Sequence, residues 1–438
     1  MSWVQTLGLQ WLEAILQLLL HPFYYVGILV IVLQYRRQIA LERRLFSTKL
    51  HSLLSESWRT VMWGFFGGLV ASALMAVIGA TVQLEAVLLL WLVSLLIALV
   101  RVRYMCWAYA VGVLGMLHAI LSSIPGVGSS AEWQWLTGPI LAFNAPSMLA
   151  LVAVLHLAEA VYVRTLGTRL STPLFVEGKR GRMVGAYQLQ GFWPMALFLI
   201  VPLSPDAAVG GAGAGAVSLP WSPLLGGEMW QNGWMIIGFP VMVGFTELTM
   251  SRVPKDKARM SSTLLLGYSG AVLLLALLAA LAPVLTFWLC LLAVLLHEGM
   301  IVFSRRDEEK RAPIYVQDGK GLNILAVLPG SPAEELGLRP GEVISKVNGV
   351  PIRTKQELHQ AMQLNSAYCR LEILDYARES RFLKRAVYSG DHHQLGIILA
   401  PDEDVLYYVD TKPLSFWSYF RRKLTGLLRN EKQIDRGM

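Results

Sequence analysis

In this sequence, chemistry would fall to the ionisable side chains set inside long apolar runs: His118, His156, Glu159, Glu247, His297 and Glu298. Groups of this kind are costly to bury unless they are partnered or used. His297-Glu298 opens like the H-E-x-x-H pattern, in which two histidines one helical turn apart hold zinc and the glutamate activates water. Position 301 is Ile, so the second ligand of that pattern is missing. His156 and Glu159 share a helical face at i and i+3, and would hold a metal only with ligands from another run. No Gly-x-Ser-x-Gly nucleophile elbow occurs. These residues support no catalytic set, no metal and no cofactor, and the chain is expected not to be an enzyme.

Three of the acids recur ahead of an arginine: Glu159 with Arg164, Glu247 with Arg252, and Glu298 with Arg305. The separation is about 8–10 Å of helix rise, which places each acid near a membrane interface. Three interfacial ion pairs are expected, with an ion or proton path as the competing reading.

The elements that must carry these groups are set by composition. The chain has 438 residues, 55% hydrophobic and 16% charged, where a soluble domain carries roughly 25% charged. It therefore reads as an integral membrane protein. The net charge of +8 is no argument for nucleic acid, because the basic residues cluster beside apolar runs. Cys106, Cys290 and Cys369 have neither disulfide nor zinc-site spacing. No Lys or Arg precedes Arg36 and no small-residue cleavage site follows, so a removed signal peptide is not expected.

Residues 2–13 read as an interfacial amphipathic helix. Apolar runs follow at 14–33, kinked at Pro22, then at 61–82, 84–100, 104–123, 146–163, 191–203, 231–249, 263–281 and 284–303, which predicts about nine spans. Lys and Arg fill alternate connections: Arg36 to Arg59, Arg101 and Arg103, Arg164 to Arg182, and Arg252 to Arg259. The connections 124–145 and 204–230 have none. The positive-inside rule then puts the N-terminus outside and everything after Phe303 in the cytoplasm. The Gly/Ala-rich stretch Val209–Val217 reads as a flexible external loop.

Past a linker at 304–311 the pattern changes. Asn323–Leu328 is a short apolar strand, and Ser331-Pro-Ala-Glu334 is a capping box with Pro at N1, stopped by Gly337. Glu342–Val347 is a second strand leading to Asn348-Gly349, the dipeptide of a type I′ turn. Thr354-Lys-Gln-Glu357 opens a helix to about Leu364, and strands follow at about Cys369–Asp375 and Arg381–Tyr388. Residues 312–404 resemble a PDZ peptide-binding domain. Such a groove needs a free strand edge, a loop of N–H groups for a terminal carboxylate, and a helical wall. Two loops compete for the carboxylate, Gly319–Asn323 and Gln394-Leu395-Gly396-Ile397-Ile398. The second has the Leu-Gly-Ile form of PDZ carboxylate loops, which implies a circularly permuted domain with its binding strand last. Lys355, His359 and Met362 then form the groove stripe of the helix, with Leu358 and Ala361 on the core stripe. The tail at 405–438 mixes aromatics with Arg421, Arg422 and Lys423, and reads either as a helix on anionic inner-leaflet lipid or as one packed on the domain.

The fold class is thus a polytopic α-helical membrane protein, residues 1–303, with a C-terminal cytoplasmic α+β PDZ-like domain. Together with His21-Pro22, the stretch from Lys179-Arg180-Gly181 to Trp193-Pro194, and His297-Glu298, this architecture resembles the MinJ family of cell-division topology determinants of Gram-positive bacteria. The resemblance implies a scaffold at poles and septa that bridges a DivIVA-like polar scaffold to a MinD-like ATPase, alongside other divisome membrane proteins, and so confines FtsZ assembly to mid-cell. A PDZ-containing intramembrane protease and a PDZ-regulated transporter are the alternatives. The charge pattern predicts that an alkaline-phosphatase reporter fused near Gly213 is active and one near Gly178 is inactive. The reverse activities would invert the orientation.

Overall fold

A computed structural model describes residues 3–127, 132–179, 181–202, 224–225, 234–365, 367–386, 395–402 and 407–409. The Val209–Val217 loop, Arg180, Gln394 and the tail beyond 409 lie outside them.

Helix α1 (Trp3–Leu20) meets α2 (Pro22–Phe46) at a 52° bend, where Pro22 has no N–H to offer and starts the new helix at its first turn. Then come α3 (Leu53–Ile78), α4 (Leu84–Val100), α5 (Trp107–Ser122), the short α6 (Gln134–Leu141) and α7 (Ala145–Leu166). Asn144 caps α7 by accepting from the Ser147 N–H. After the strands come α8 (Pro254–Leu281) and α9 (Thr286–Lys310). The most enclosed of the long helices is α7, whose residues from Ala145 to His156 are almost all buried.

The expected nine spans are not supported. Among the described residues four helices are long and apolar enough to cross a membrane, namely α3, α7, α8 and Pro283–Lys310, and the bent α1–α2 pair adds a fifth if it counts as one span. Helices α4 and α5 are apolar but only 17 and 16 residues long, short of the roughly 20 that a bilayer core needs. The described parts of the runs at 191–203 and 231–249, residues 191–202 and 234–249, are not helices at all. They belong to a sheet of β1 (Ser171–Glu177), β2 (Met183–Pro202) and β3 (Trp234–Thr249), in that order and antiparallel. Gly191, Pro194, Gly238, Pro240 and Gly244 interrupt any helix there, while the Val, Ile, Phe and Trp between them favour strands.

Apolar helices surround the hairpin β2–β3, so its backbone must be paired or covered. Gly64 and Gly68 of α3 let that helix lie against β2: a Cβ on Gly64 would come within 2.5 Å of the Pro194 carbonyl oxygen, and one on Gly68 would overlap the Ala196 backbone. Ser72, one turn further, accepts from the Phe198 N–H at 2.7 Å and donates to the Gly68 carbonyl at 2.7 Å. The Val82 N–H reaches the Ile200 carbonyl at 2.9 Å. On the other strand, Gly238 lies under Ala14 and Leu18 of α1.

The C-terminal domain is a sheet of β4 (Leu322–Val327), β5 (Val343–Val347), β6 (Val350–Pro351), β7 (Tyr368–Leu374), β8 (Ser380–Ala386) and β9 (Ile397–Leu399), with α10 (Pro332–Glu335) and α11 (Lys355–Gln363). Both expected N-caps form, with Ser331 and Thr354 accepting from the third helical N–H. Asn348 and Gly349 both take positive φ, 51° and 86°, as a type I′ turn requires. Residues 304–310, expected as linker, continue α9. The domain docks on the base of the hairpin: the Gly185 N–H donates to Tyr315 at 2.9 Å, Tyr187 bonds the Leu325 carbonyl, and Tyr315 is fully buried between them.

The α3–β2 contact yields a prediction. Gly68→Val should abolish accumulation of folded protein. Ser72→Ala, which strands the Phe198 N–H, should cost about 1–3 kcal/mol, read as a lower melting temperature of the detergent-purified chain. Unchanged melting in both would refute the packing described.

Candidate functional site

The sheet order of the C-terminal domain is β8-β7-β5-β4-β9, so β9 is a terminal strand, antiparallel to β4 with Ile398 opposite Ala326 and Ile397 opposite Val327. The Leu328 N–H bonds the Gly396 carbonyl and the Ala400 N–H bonds the Asn323 carbonyl, both at 2.8 Å. Even-numbered backbone groups of β9 therefore face β4, and those of Ile397 and Leu399 face the open edge. At the entrance to β9, Leu395 and Gly396 have φ of +57° and +77°. A Cβ on Gly396 would overlap the Ser331 side chain, so only glycine fits. Neither the Leu395 nor the Gly396 N–H has an acceptor among the described residues. Successive amides of a turn that lack a described acceptor are groups of the kind that can receive an anion.

Helix α11 supplies the wall. Leu358 and Ala361 are buried in the domain core, Met362 packs on its margin, and Lys355 and His359 are exposed. Lys355 pairs with Asp402 just past β9 at 3.4 Å, tying the start of α11 to that strand. The other loop, Gly319–Asn323, leads straight into β4, where Leu322 pairs with Ile344 and a Cβ on Gly321 would strike the Ile344 carbonyl. It lies inside the sheet rather than at a free edge.

Glu159, Glu247 and Glu298 are partnered differently from the local pairs expected from the sequence. Glu298 pairs with Arg103 at 2.9 Å and accepts from Tyr109 at 2.9 Å. Glu247 pairs with the buried Lys257 at 3.2 Å and accepts from Ser304 at 2.8 Å. Arg252 instead binds Asp307 at 2.7 Å, Arg305 binds Glu309 at 3.0 Å, and Arg164 donates to the Arg259 carbonyl. Glu159 has no ion-pair partner among the described residues. The reason is geometric: Glu159 and Arg164, five apart on α7, point to different sides, Glu298 and Arg305 on α9 share a face but are about 10 Å apart along the axis, and Glu247 sits on β3, so neighbouring elements supply closer bases. His118 donates to the Ile140 carbonyl at 3.0 Å, while His156 and His297 turn away from these acids and meet Cys106.

The sequence reading also missed a buried ionic pair outside the apolar runs. Glu42, fully buried on α2, accepts from the Leu50 and His51 N–H groups and from His51 Nδ1 at 2.5 Å, while His51 Nε2 donates to the Arg169 carbonyl at 2.9 Å. Nothing local marks it, because the Arg169 carbonyl is 118 residues away in sequence. Burial alone would lower the His51 imidazole, but the Glu42 carboxylate and the Arg169 carbonyl outweigh it and raise the group above its ordinary value.

A PDZ domain family profile matches residues 324–374. Across the whole chain, the sequence is 28% identical over 410 residues to the cell division topological determinant MinJ of Bacillus subtilis (strain 168), covering 90% of this chain and 96% of that protein. It is 27% identical over 369 residues to the probable cell division topological determinant MinJ of Lacticaseibacillus paracasei, covering 83% and 90%, and equally to that of Lacticaseibacillus casei (strain BD-II). No solved structure matches. The resemblance to MinJ read from the sequence is thereby borne out.

The raised His51 value carries a signed prediction. A group with a higher folded than unfolded value adds stability that is fully present below about pH 6.5 and is lost as pH rises through the folded value. The melting temperature of the detergent-purified chain should fall on that rise, and His51→Gln should flatten the slope. A wild-type slope that survives in His51→Gln would remove the pair as its cause.

Proposed function

We propose that this chain is a membrane-anchored adaptor in the placement of the division site, and that β9 with α11 is its peptide-binding groove. The reading rests on one observation above the rest: among the described residues, β9 is an end strand of its sheet whose entry turn carries two amides without an acceptor, beside an exposed helical wall. An extended peptide adds to such an edge through main-chain hydrogen bonds, and the amide pair accepts its terminal carboxylate. Similarity to MinJ proteins over nearly the full length supports the cellular context. In this reading the chain crosses the membrane several times, the PDZ domain faces the cytoplasm at septa and poles, and the groove or its surroundings join a DivIVA-type scaffold to a MinD-type inhibitor. The chain is read as a scaffold without catalytic turnover, consistent with Ile at position 301.

The test is binding by the detergent-purified full chain to fluorescent peptides carrying the C-termini of the DivIVA-type and MinD-type partners. His359→Asp and Lys355→Glu, both on the exposed wall of α11, should weaken the bound peptide by about tenfold, equivalent to about 1.4 kcal/mol, with melting unchanged. Amidating the peptide's C-terminus should weaken it further. Binding that ignores both substitutions and the amidation would exclude this groove.

A further inference from the structure

Three helices that are distant in sequence bring one thiol and two imidazoles together inside the apolar bundle. Cys106 stands at the N-cap of α5, His156 in the middle of α7 and His297 on α9. Cys106 Sγ lies 3.5 Å from His156 Nε2 and 3.7 Å from His297 Nε2, and the three atoms lie within 4.8 Å of one another. Both histidines are buried, at 4% and 6% exposure.

The proton positions follow from the partners. His156 Nδ1 is 2.8 Å from the Val152 carbonyl, which can only accept, so Nδ1 carries the hydrogen. His297 Nδ1 is 3.1 Å from the Tyr109 hydroxyl, whose own hydrogen goes to Glu298 at 2.9 Å, so that Nδ1 also donates. Both rings thus turn an Nε2 lone pair toward the same sulfur. One S–H can satisfy only one of them, and the other would be left buried without a donor, at a cost of about 1–3 kcal/mol. Aromatic rings close the surroundings: Tyr268 is 4.9 Å from His156 and 5.2 Å from His297, centroid to centroid.

We propose that Cys106, His156 and His297 bind a zinc-class divalent ion, with the cysteine as thiolate. Metal–sulfur and metal–nitrogen bonds of about 2.3 and 2.0–2.1 Å at a tetrahedral angle set sulfur and nitrogen about 3.6 Å apart; the two observed separations bracket that value, and the two Nε2 atoms, within 4.8 Å of each other, close to about 3.4 Å on binding. The Val152 carbonyl and the Tyr109–Glu298 pair are the outer-shell acceptors that fix the tautomer and direction of ligating histidines. A softer thiolate with two imidazoles selects zinc-class ions over magnesium or calcium, and three protein ligands leave a fourth position for water or an added ligand. Binding releases the thiol proton to solvent. The ion would clasp α5, α7 and α9, and through Tyr109 it would stand directly behind the pair that Glu298 of α9 makes with Arg103, in the turn before α5.

The experiment uses the full chain purified in detergent, stripped with chelator and titrated with Zn(II) or Co(II). One equivalent per chain is expected, with a thiolate-to-cobalt charge-transfer band and a higher melting temperature than the stripped protein. Cys106→Ser should remove the band, and His297→Gln should lower affinity sharply. Cys290→Ser and Cys369→Ser should leave both readouts unchanged. Tyr109→Phe, which keeps every ligand and removes the acceptor of His297, should weaken cobalt by about 10–100-fold. A stripped chain that takes up no equivalent, or a cobalt band that persists in Cys106→Ser, would overturn the site and leave a thiol–imidazole hydrogen-bond network.

Discussion

An open β-hairpin among apolar helices cannot leave its edges bare, and the rest of this structure follows from that constraint. Where water is absent, each unpaired N–H or C=O costs several kcal/mol, and a hairpin, unlike a barrel, has two edges to cover. β1 covers β2 only from Met183 to Leu189. Beyond that, Leu170, Ser72 and the Thr81-Val82 segment pair with the strand one group at a time. The small residues of α3 recur every fourth position because each must admit strand backbone, and α1 bends away from α2 so that Ala14 and Leu18 can lie over Gly238. A straight helix from Trp3 to Phe46 could not both cover β3 and carry Tyr35 and Glu42 into the base of α3 and the loop beyond.

The same hairpin carries the C-terminal domain. At the Gly185–Tyr187 end of β2 the strand receives Tyr315 and Leu325, and the buried cluster around α7 and β2 runs on without a break into Leu325, Ala326 and Ile398. Glu308, at the end of α9, accepts from Thr249, Met250 and Ser251 at the end of β3. The domain is therefore seated on the strands by side chains and backbone together, and α9 enters it as continuous helix rather than as a tether.

What the sequence made legible was whatever is encoded locally. The N-caps at Ser331 and Thr354, the Asn348-Gly349 turn and the order of strands in the PDZ domain are set by residues within a few positions of each other and formed where the pattern put them, although only Thr354 completes its capping box, the Glu334 carboxylate accepting from the Gly330 N–H instead. Span number was not legible, because an apolar run of strand-forming residues has the same hydropathy as a short helix and differs only in its Gly and Pro. Of the site, the stripe division of α11 was visible in its period, with Leu358 and Ala361 inward. The partners of the acids were not: Arg103 and Glu298 are 195 residues apart, and Cys106 and His297 are 191 apart. Such pairs register helices against one another, and helix packing, not spacing, decides them.

β9, the strand of the proposed groove, illustrates how a short end strand can be held without fraying. A three-residue terminal strand paired on one side has few hydrogen bonds to hold it, and short edges of this kind open readily. Here alternation sends Ile397 and Leu399 into the core of the PDZ domain and Ile398 into the core shared with the hairpin, so both faces of the strand are anchored. Gly396 and Ser331 lock its entry, and Ala400 closes its exit onto Asn323. With both faces held and one edge paired among the described residues, the strand of the proposed groove has in place the order that a bound peptide would otherwise have to impose.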